Sequence, residues 1–482
     1  MIKTRLDIQQ FILSLEQQFP VNQWKVDSIH LWPHLRIKLF FYLITTIEKS
    51  EFTPNKPKNK PFLEKLKGKG RTLKALFSYF SWMKTLTNKE IIFVGADAHR
   101  VDYRNARFNR YFDCMIDQFN LAKQSMYLEY GPHSHKQYNS NLIFSFSTAL
   151  KGFLYRYSGS TKKVTLEISG YEDFLAYLNQ NPIFDQFCKK YSTAQLGQWA
   201  TTQFYPKVLF FEKVMAKIKP KRVLILCYYI EDIFALTAAA NRKNIMTIEM
   251  QHGPQSIVHM AYSSWFSLPA EGYDMIPRNF WCWDESSKNV IEKWTSKNKL
   301  YSVQVVGNPW IDYWKIKENT FPEKDFILYS LQPSPLTIEQ LFPESIINFI
   351  KDNPTHWFIR LHPRQLKEME AITNYLKNSQ ILHLVTIESA TNEPLPLLLS
   401  NALVHITHFS GTAIEASLFD VQTVLLNEIG VFSFEDLISA QKAVYLNSGD
   451  VAFYSKLEQI LEKAKNRTQT KIEPKKSLNL FS

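Results

Sequence analysis

A short basic turn in the second half of the chain has the residue types that bind phosphate. Residues 360–364 read Arg-Leu-His-Pro-Arg and directly follow the apolar run at 357–359. An arginine binds phosphate oxygens through paired hydrogen bonds, and an imidazole can add one more. The pattern therefore predicts that Arg360, His362 and Arg364 contact a phosphate-bearing ligand. The alternative interpretation is a surface turn with incidental basic residues.

A second turn, at 407–412, carries small and hydroxyl-bearing residues ahead of a predicted helix at 412–419. Backbone N–H groups at the start of a helix favour anions, so Ser410, Gly411 and Thr412 predict a seat for a phosphate group. Glu415 has two interpretations, which the sequence leaves open. Either it closes a capping box with Thr412, or it accepts hydrogen bonds from the ribose hydroxyls of a nucleotide.

A histidine follows a predicted strand in the middle of the chain. Gln251, His252 and Gly253 come directly after the strand at 245–250. A neutral imidazole can take up a proton near pH 7, so His252 is the candidate general base for an acceptor hydroxyl. Gln251 and Gly253 would line the site beside it. The alternative is a histidine with a purely structural role.

Two further groups of residues also follow predicted strands. The first, after the strand at 302–306, is Gly307, Asn308 and Pro309. Glycine there would let a ligand approach the backbone closely, and a plain hinge turn between two domains explains the same residues. The second, after the strand at 90–94, is Asp97, His99 and Arg100. These three are candidates for the acceptor side of the site.

Metal and nucleotide-loop motifs are absent from the sequence. The pairs His133/His135 and His405/His408 have spacings that suit metal ligands, but neither has a clear third ligand, so we predict no metal. The 14 glycines build neither a dinucleotide fingerprint nor a P-loop. The four cysteines are widely spaced and are predicted to be reduced packing residues.

Length and composition set the frame for these residues. A chain of 482 residues with 45% hydrophobic residues has material for two or three folded domains. The net charge of +12 favours polyanions, nucleotide phosphates or an anionic membrane face. No apolar run is long enough to span a bilayer and no secretory signal is visible at the start, so we expect a cytoplasmic protein.

The elements that must position these residues alternate between strands and helices. The segments 223–228, 231–243 and 245–250 predict a strand, a helix and a strand, and the same alternation continues from 326 to 426. We therefore expect an α/β chain with two doubly wound Rossmann-like domains facing a cleft. The predicted boundaries are a helical basic extension at 1–87, an acceptor domain at 88–315, a nucleotide-donor domain at 316–465 and a basic tail at 466–482.

The extension carries a cluster of basic residues between Lys49 and Lys74. Such a cluster can meet phospholipid headgroups, which would make the protein peripheral on the cytoplasmic membrane face, or it can simply be a solvated charged surface. Nucleic acid is not an expected partner, because no RNA- or DNA-binding motif accompanies the charge.

Together these motifs resemble the GT-B glycosyltransferase superfamily, in particular bacterial CDP-glycerol glycerophosphotransferases and capsule or surface-polysaccharide transferases. The likeness covers about 219–446. The segment 251–254 is similar to the family's W-H-G-T, residues 360–363 match its R-x-H-P, and 408–412 are similar to its D-Y-S-S. The chain departs from the last motif at His408, where the family has Asp, and at Gly411, where it has Ser.

The resemblance implies a metal-independent transferase without a bound cofactor. It would move a sugar or glycerol phosphate from a cytidine or uridine nucleotide to a glycan or lipid-linked glycan of the cell surface. In that scheme Arg360, His362 and the 410–412 turn neutralise the leaving phosphate, and His252 is the base. The alternatives are a sugar-nucleotide epimerase, which resembles the same pattern, and a non-catalytic scaffold of a polysaccharide assembly complex.

Overall fold

The computed structural model describes residues 2–47, 68–103, 105–133, 135–157, 164–315, 321–332 and 336–466. The chain divides into two compact units. Unit 1 comprises Met1–Arg100 and Tyr111–Gly307, and unit 2 comprises Val101–Arg110 and Asn308–Ser482. The predicted basic cluster at 49–74 lies largely outside the described residues, as does most of the predicted tail at 466–482.

Eighteen strands occur in the described residues. They are β1 (Lys25–Val26), β2 (Ile29–His30), β3 (Ile91–Ala96), β4 (Arg100–Tyr103), β5 (Ala106–Asn109), β6 (Ser125–Tyr130), β7 (Ile143–Ser145), β8 (Leu166–Glu167), β9 (Arg222–Ile225), β10 (Met246–Met250), β11 (Asn279–Cys282), β12 (Ser302–Val305), β13 (Phe326–Ser330), β14 (Trp357–Arg360), β15 (Val385–Thr386), β16 (Ala402–Thr407), β17 (Gln422–Leu425) and β18 (Ala443–Tyr445).

The α-helices with described bounds alternate with these strands. They are α1 (Arg5–Gln18), α2 (Trp32–Ile47), α3 (Gly68–Thr85), α4 (Asp113–Phe119), α5 (Ser147–Tyr157), α6 (Tyr171–Leu178), α7 (Asp185–Lys190), α8 (Thr193–Trp199), α9 (Tyr205–Ile218), α10 (Glu231–Arg242), α11 (Glu285–Thr295), α12 (Pro309–Lys315), α13 (Ile338–Leu341), α14 (Glu344–Asp352), α15 (Met369–Asn378), α16 (Glu388–Asn392), α17 (Leu395–Leu399), α18 (Thr412–Leu418), α19 (Glu428–Ser433), α20 (Glu435–Ser439) and α21 (Phe453–Lys465).

Unit 1 is built on a seven-stranded sheet in the order β12-β11-β10-β9-β3-β6-β7. All neighbouring strands in it are parallel. The chain starts at β3, runs outward to β7, returns beside β3 with β9 and then runs outward to β12. The strand order therefore reverses between β3 and β9. Every residue of β3 is buried, which is typical of a parallel strand covered on both faces.

Unit 2 is built on a six-stranded parallel sheet in the order β15-β14-β13-β16-β17-β18. This is the 3-2-1-4-5-6 order of a Rossmann sheet, with its reversal between β13 and β16. Every residue of β13 is buried. The prediction of an α/β chain with two Rossmann-like parallel sheets is confirmed by these two orders.

The N-terminal segment is part of the core of unit 1, and here the structure differs from the predicted extension at 1–87. Side chains of α1 and α2 share one hydrophobic cluster with those of the central strands. Within that cluster, the Arg36 guanidinium lies 2.8 Å from the buried Glu16 carboxylate and stacks over the ring of Trp265. The charge of Arg36 is compensated inside the core, which is why so apolar a helix can carry it.

Residues 101–110 also differ from the predicted domain boundaries, because they belong to unit 2. The rings of Tyr103 and Phe108 lie 5.8 Å and 5.5 Å from the ring of Trp310 in α12, so aromatic packing joins the β4–β5 segment to the second unit. The chain then passes from unit 1 to unit 2 between Gly307 and Asn308. Gly307 has a φ of +81°, a conformation that favours glycine.

Asn308 has a local structural role at that passage. Its side-chain oxygen accepts the backbone N–H groups of Trp310 and Ile311, at 3.1 Å and 3.4 Å, and so caps the start of α12. Asn308 is almost fully buried. Of the helices in the described part of the chain, none combines the length and the apolar character needed to cross a bilayer.

Candidate active site

Topology alone brings the predicted residues of unit 2 to one edge of its sheet. In open α/β sheets, ligands bind beyond the carboxyl ends of the strands, where the strand order reverses. The turn at 408–411 follows β16, one of the two strands at the reversal, and residues 361–364 follow β14, which pairs with the other of those strands, β13. The two predicted phosphate-binding segments therefore leave the same edge of one sheet.

The turn after β16 is held by hydrogen bonds on its buried side and is open to approach on its exposed side. The buried Thr407 hydroxyl lies 2.9 Å from the carbonyl oxygen of Ser330 and accepts the backbone N–H of Ser410 at 3.2 Å. The hydroxyls of Ser410 and Thr412 are 3.1 Å apart. A Cβ added at Gly411 would meet nothing within 4 Å. A ligand can therefore approach the exposed backbone at Gly411 without a side chain in its way.

The structure excludes one of the two interpretations of Glu415, the capping box. Helix α18 is capped by Gly411, with no side-chain hydrogen bond at the cap, so the predicted capping box between Thr412 and Glu415 does not form. The Glu415 side chain is 12% exposed, and its Oε1 lies 4.0 Å from the Arg110 guanidinium. The carboxylate is thus not used by the helix end, which leaves it available to a ligand.

Arg360 anchors the same edge of the sheet and remains a cation. One of its terminal nitrogens donates to the carbonyl oxygen of Ala390 within α16, at 2.6 Å, and to that of Glu393 just beyond the helix, at 2.7 Å. Burial lowers the pKa of Arg360 to about 10, while the charge of Glu415 opposes that change. A guanidinium with this pKa is protonated at neutral pH, so Arg360 keeps its positive charge in the site.

Arg110 was not found by sequence reasoning. It ends the 101–110 segment, which joins unit 2 although it lies far earlier in the chain. Together with Arg360 it opposes the burial of Glu415: burial raises the pKa of the Glu415 carboxyl, and the two arginines lower it. The sequence around Arg110 has no phosphate-binding pattern, so only the tertiary structure identifies this residue.

Gln332 is a second residue that the sequence did not single out. It follows β13, the other strand at the reversal, and its side-chain oxygen lies 3.0 Å from the Thr407 hydroxyl. Its buried amide nitrogen has no hydrogen-bond partner in the described part of the chain. Because an unpaired buried donor is costly, this amide is a candidate contact for a ligand oxygen.

His362 is held as a neutral hydrogen-bond donor. Its Nδ1 accepts the backbone N–H of Arg364 at 3.1 Å, which places the ring proton on Nε2. Burial and the charge of Arg364 both lower the pKa of His362 below its ordinary value, so the ring is uncharged at neutral pH. The Nε2–H group can then donate to a phosphate oxygen. Arg364 itself is exposed.

The side chains of His405 and His408 form buried hydrogen bonds in the core of unit 2. His408 Nε2 lies 3.0 Å from the Tyr329 hydroxyl, and His405 Nδ1 lies 3.0 Å from the Thr423 hydroxyl. Burial lowers the pKa of His408 to about 4 and that of His405 to about 3, so both rings are neutral near pH 7. In the described residues, no group of three or more metal-ligating side chains occurs.

In unit 1, His252 is paired with a buried carboxylate. Its Nδ1 lies 3.3 Å from Oε1 of Glu249, whose side chain is fully buried at the end of β10. The same oxygen accepts the Tyr262 hydroxyl at 3.1 Å. The Tyr111 hydroxyl donates to the carbonyl oxygen of His252 at 2.9 Å. Both the ring and the backbone of His252 are therefore held in place, with Nδ1 turned toward Glu249.

This environment favours the protonated form of His252. Burial works to lower its pKa, but the Cys227 thiol and the Glu249 carboxylate outweigh burial, and the pKa of His252 lies well above its ordinary value. Burial raises the pKa of Glu249, and His252 opposes that change. The ring must therefore lose its proton before it can act as a base, so a base role requires a higher pH than it would for an ordinary histidine.

Cys227 differs from the other three cysteines. Those three are buried, as predicted for packing residues, whereas Cys227 is half-buried. It lies just after β9, one of the two strands at the reversal of unit 1, and its φ is +57°. Its position places the thiol beside His252 at the edge where ligands bind in such sheets.

Gln251 holds the loop that carries His252. Its side chain is fully buried, donates to the carbonyl oxygen of Gly253 at 3.1 Å and lies 3.0 Å from the Ser287 hydroxyl. Its oxygen accepts the backbone N–H of Trp283 at 2.7 Å. Gln251 was expected to line the site, but this burial gives it a structural role. A Cβ at Gly253 would meet nothing within 4 Å, so that residue is open to approach.

The three candidates for the acceptor side, Asp97, His99 and Arg100, have different surroundings in the structure. Arg100 is buried, with its guanidinium 2.6 Å from Glu129 and 3.3 Å from Asp113. This differs from the expected lining role, because a buried arginine needs carboxylates around it. Asp97 accepts the side-chain amide of Gln137 at 3.2 Å. The ring of His99 lies 6.2 Å from that of His252, so the structure does bring His99 to the predicted base.

Comparison with known proteins gives a likeness in solved structures alone. No protein-family model and no curated protein matches the chain. A UDP-GlcNAc 2-epimerase of Methanocaldococcus jannaschii, in complex with UDP-GlcNAc and UDP, is 14% identical with a TM-score of 0.43, over 79% of this chain and 93% of that one. A UDP-GlcNAc 2-epimerase of Neisseria meningitidis bound to UDP-GlcNAc is 15% identical with a TM-score of 0.43, over 79% and 95%.

A glycotransferase of kitacinnamycin is 11% identical with a TM-score of 0.38, over 79% of this chain and 91% of that one. At these values the likenesses carry no argument about activity. What the chain does must be argued from its own residues.

Proposed function

We propose that this protein is a transferase that moves a sugar or glycerol phosphate from a nucleotide-activated donor to a cell-surface polysaccharide of the capsule, lipopolysaccharide or teichoic-acid type. The observation that carries the proposal is the arrangement around Glu415. Two arginines, Arg110 and Arg360, flank this carboxylate at the edge where the strand order of unit 2 reverses. Cations for phosphates and an acceptor for ribose hydroxyls are what a nucleotide requires.

The donor would bind to unit 2 through groups of complementary chemistry. The guanidinium groups of Arg110 and Arg360 would neutralise the phosphate charge, which grows on the leaving nucleotide as the bond to the transferred group breaks. His362 Nε2–H and the hydroxyls of Ser410 and Thr412 would donate to phosphate oxygens. Glu415 would accept from the ribose. These groups supply the charge stabilisation without a metal, and a cytidine or uridine nucleotide is the expected donor.

The acceptor would be activated in unit 1. His252, once deprotonated, would take the proton of the acceptor hydroxyl as the oxygen forms its bond to the transferred group. Glu249 would be a positioning residue, since its carboxylate fixes Nδ1 and stabilises the imidazolium that results. The proton ends on His252 and the electron pair of the broken bond ends on the nucleotide phosphate.

A transfer assay tests the proposal. Labelled CDP-glycerol and labelled cytidine and uridine sugar nucleotides are incubated with the full chain, with and without glycan acceptor extracted from the producing cells. We expect label in the acceptor for one donor class, and no conversion of that donor without acceptor. An altered nucleotide sugar formed without acceptor would replace the proposal with epimerisation. If no nucleotide binds to the protein at all, the transferase proposal is replaced by the alternative of a non-catalytic scaffold.

A further inference from the structure

We propose that unit 1 docks on an anionic lipid bilayer through an exposed surface formed by α3 and α5. This aromatic-basic patch consists of Phe77, Phe80, Lys84, Lys151, Tyr155 and Arg156. All six side chains are exposed. The patch lies within the described part of the chain and is separate from the basic cluster on which membrane contact was first predicted.

The part of the patch on α3 is one stripe of the helix. Phe77, Phe80 and Lys84 follow the spacing i, i+3, i+7, which places them on one face. Phe77 is 73% exposed and Phe80 is 46% exposed. Such exposure is unusual for large apolar rings. Two exposed phenylalanine rings on one face of a helix indicate a binding surface.

The opposite face of α3 is already used. The ring of Tyr79, which is 6% exposed, lies 5.4 Å from that of Phe153 in α5 and 6.1 Å from that of Phe210 in α9. The helix is therefore fixed to unit 1 by its inner side. The exposed rings of Phe77 and Phe80 cannot be buried by a simple rotation of α3, because that would expose Tyr79.

Helix α5 extends the patch. Lys151 and Tyr155 are one turn apart, and the Tyr155 side chain is 55% exposed. The guanidinium of Arg156 lies 5.3 Å from the centre of the Phe80 ring, which joins the two stripes into one surface. Aromatic rings and long basic side chains stand side by side across it.

The positive charge of the aromatic-basic patch indicates which partner binds to it. The parts of α3 and α5 whose side chains the structure describes, 77–85 and 147–157, contain the cations Lys84, Lys151 and Arg156 and neither Asp nor Glu. A second copy of the chain would place this positive surface against itself in a symmetric contact, which repulsion disfavours. A bilayer with anionic headgroups attracts the cations, and its interface accepts the aromatic rings.

Vesicle sedimentation tests the proposal with the full chain. Wild type is mixed with vesicles of phosphatidylcholine alone, or of equal parts of phosphatidylcholine and phosphatidylglycerol. The double variant Phe77→Ser, Phe80→Ser is compared with Phe432→Ser, which removes a ring 83% exposed in unit 2. We expect binding to the anionic vesicles, weakened about tenfold in the double variant and unchanged in the control.

Several results would overturn the proposal. They are no binding of wild type to anionic vesicles, equal binding by wild type and the double variant, and equal loss with Phe432→Ser. A dimer by light scattering that disappears in the double variant would assign the patch to a second copy. If the double variant does not fold, Lys84→Glu with Lys151→Glu replaces it, and retained binding by this variant would also contradict the account. None of these readouts depends on turnover, so the proposal stands or falls separately from the transferase assignment.

Discussion

His252 and His362 occupy comparable places in the two units but have opposite environments. Each follows a parallel strand next to one of the two strands at the reversal of its sheet. Beside His252 lies the buried Glu249, and the pKa of His252 is raised; beside His362 lies Arg364, and burial together with that charge lowers its pKa. The difference teaches that the strand-end position gives access to ligand, while the neighbours decide the charge of the ring.

This contrast separates two kinds of chemistry. A neutral ring with its proton on Nε2 is suited to donate to a phosphate oxygen, and a ring oriented by a carboxylate is suited to hold a proton taken from a substrate. The contrast predicts that variants at the two positions fail in different ways: one in turnover and the other in nucleotide binding.

Replacement of His252 should give the largest effect. His252→Ala removes the proposed base, so we expect turnover to fall by about 10²–10⁴-fold. Nucleotide affinity should stay at the wild-type value, because the proposed donor residues all lie in unit 2. His135→Ala, which alters an exposed histidine of unit 1, is the matched control. Full activity of His252→Ala in the transfer assay would exclude the base role.

Replacement of Glu249 should shift the pH dependence. A base works in its unprotonated form, so activity of the wild type should rise as pH rises through the raised pKa of His252. Glu249→Gln removes the carboxylate that helps to raise that pKa, and the rise should move to lower pH. The maximal rate should also fall, because the imidazolium loses its stabilising charge.

The pH profile of kcat/KM for wild type and Glu249→Gln is the measurement. An unchanged pH profile with a reduced rate would mean that Glu249 only supports the fold. Activity that falls as pH rises through the raised pKa would make His252 an acid rather than a base.

Replacement of Arg110 tests nucleotide binding by unit 2. Arg110→Gln removes one of the two cations beside Glu415, so nucleotide affinity should fall about 10-fold or more, as expected for a charged hydrogen bond. Arg107→Gln is the control, because the Arg107 guanidinium pairs with the exposed Asp102. Calorimetric titration with the preferred nucleotide measures both. Equal affinities for wild type and Arg110→Gln would remove Arg110 from the site.

The smallest effect is expected at His362. His362→Asn keeps a side-chain oxygen that can cap the turn before Arg364 but removes the Nε2–H donor. A neutral hydrogen bond contributes about 0.5–1.5 kcal/mol, so nucleotide affinity should fall by no more than about tenfold. Turnover at saturating donor should stay near the wild-type rate. A large loss of turnover at saturation would erase the distinction between the two histidines.

The sequence predicts the fold because its strands are short apolar runs followed by turn residues. The strand, helix and strand at 222–250 could be recognised in this way, and so could the turn that carries Ser410 and Gly411. The position of residues 5–47 in the core could not be predicted from the sequence, because the helices there look amphipathic and basic. Only the structure shows that Glu16 neutralises Arg36.

The site was only partly predictable. Arg110 lies far from Glu415 in the sequence, and it reaches Glu415 because the 101–110 segment joins unit 2 although the chain on both sides of it belongs to unit 1. No local sequence pattern predicts this. Glu249 did leave a signal, since a carboxylate at the end of a buried parallel strand requires a partner. His252, three residues later, is that partner.

The most direct test of the account is a calorimetric screen of the full chain against CMP, CDP, UMP, UDP and GDP, with His362→Ala alongside. We predict saturable binding of a cytidine or uridine nucleotide by wild type, and weaker binding by the variant. That result would place the nucleotide site in unit 2 and fix the donor class. No binding of any of the five nucleotides, or the same affinity in wild type and variant, would contradict the assignment of unit 2 as the donor unit.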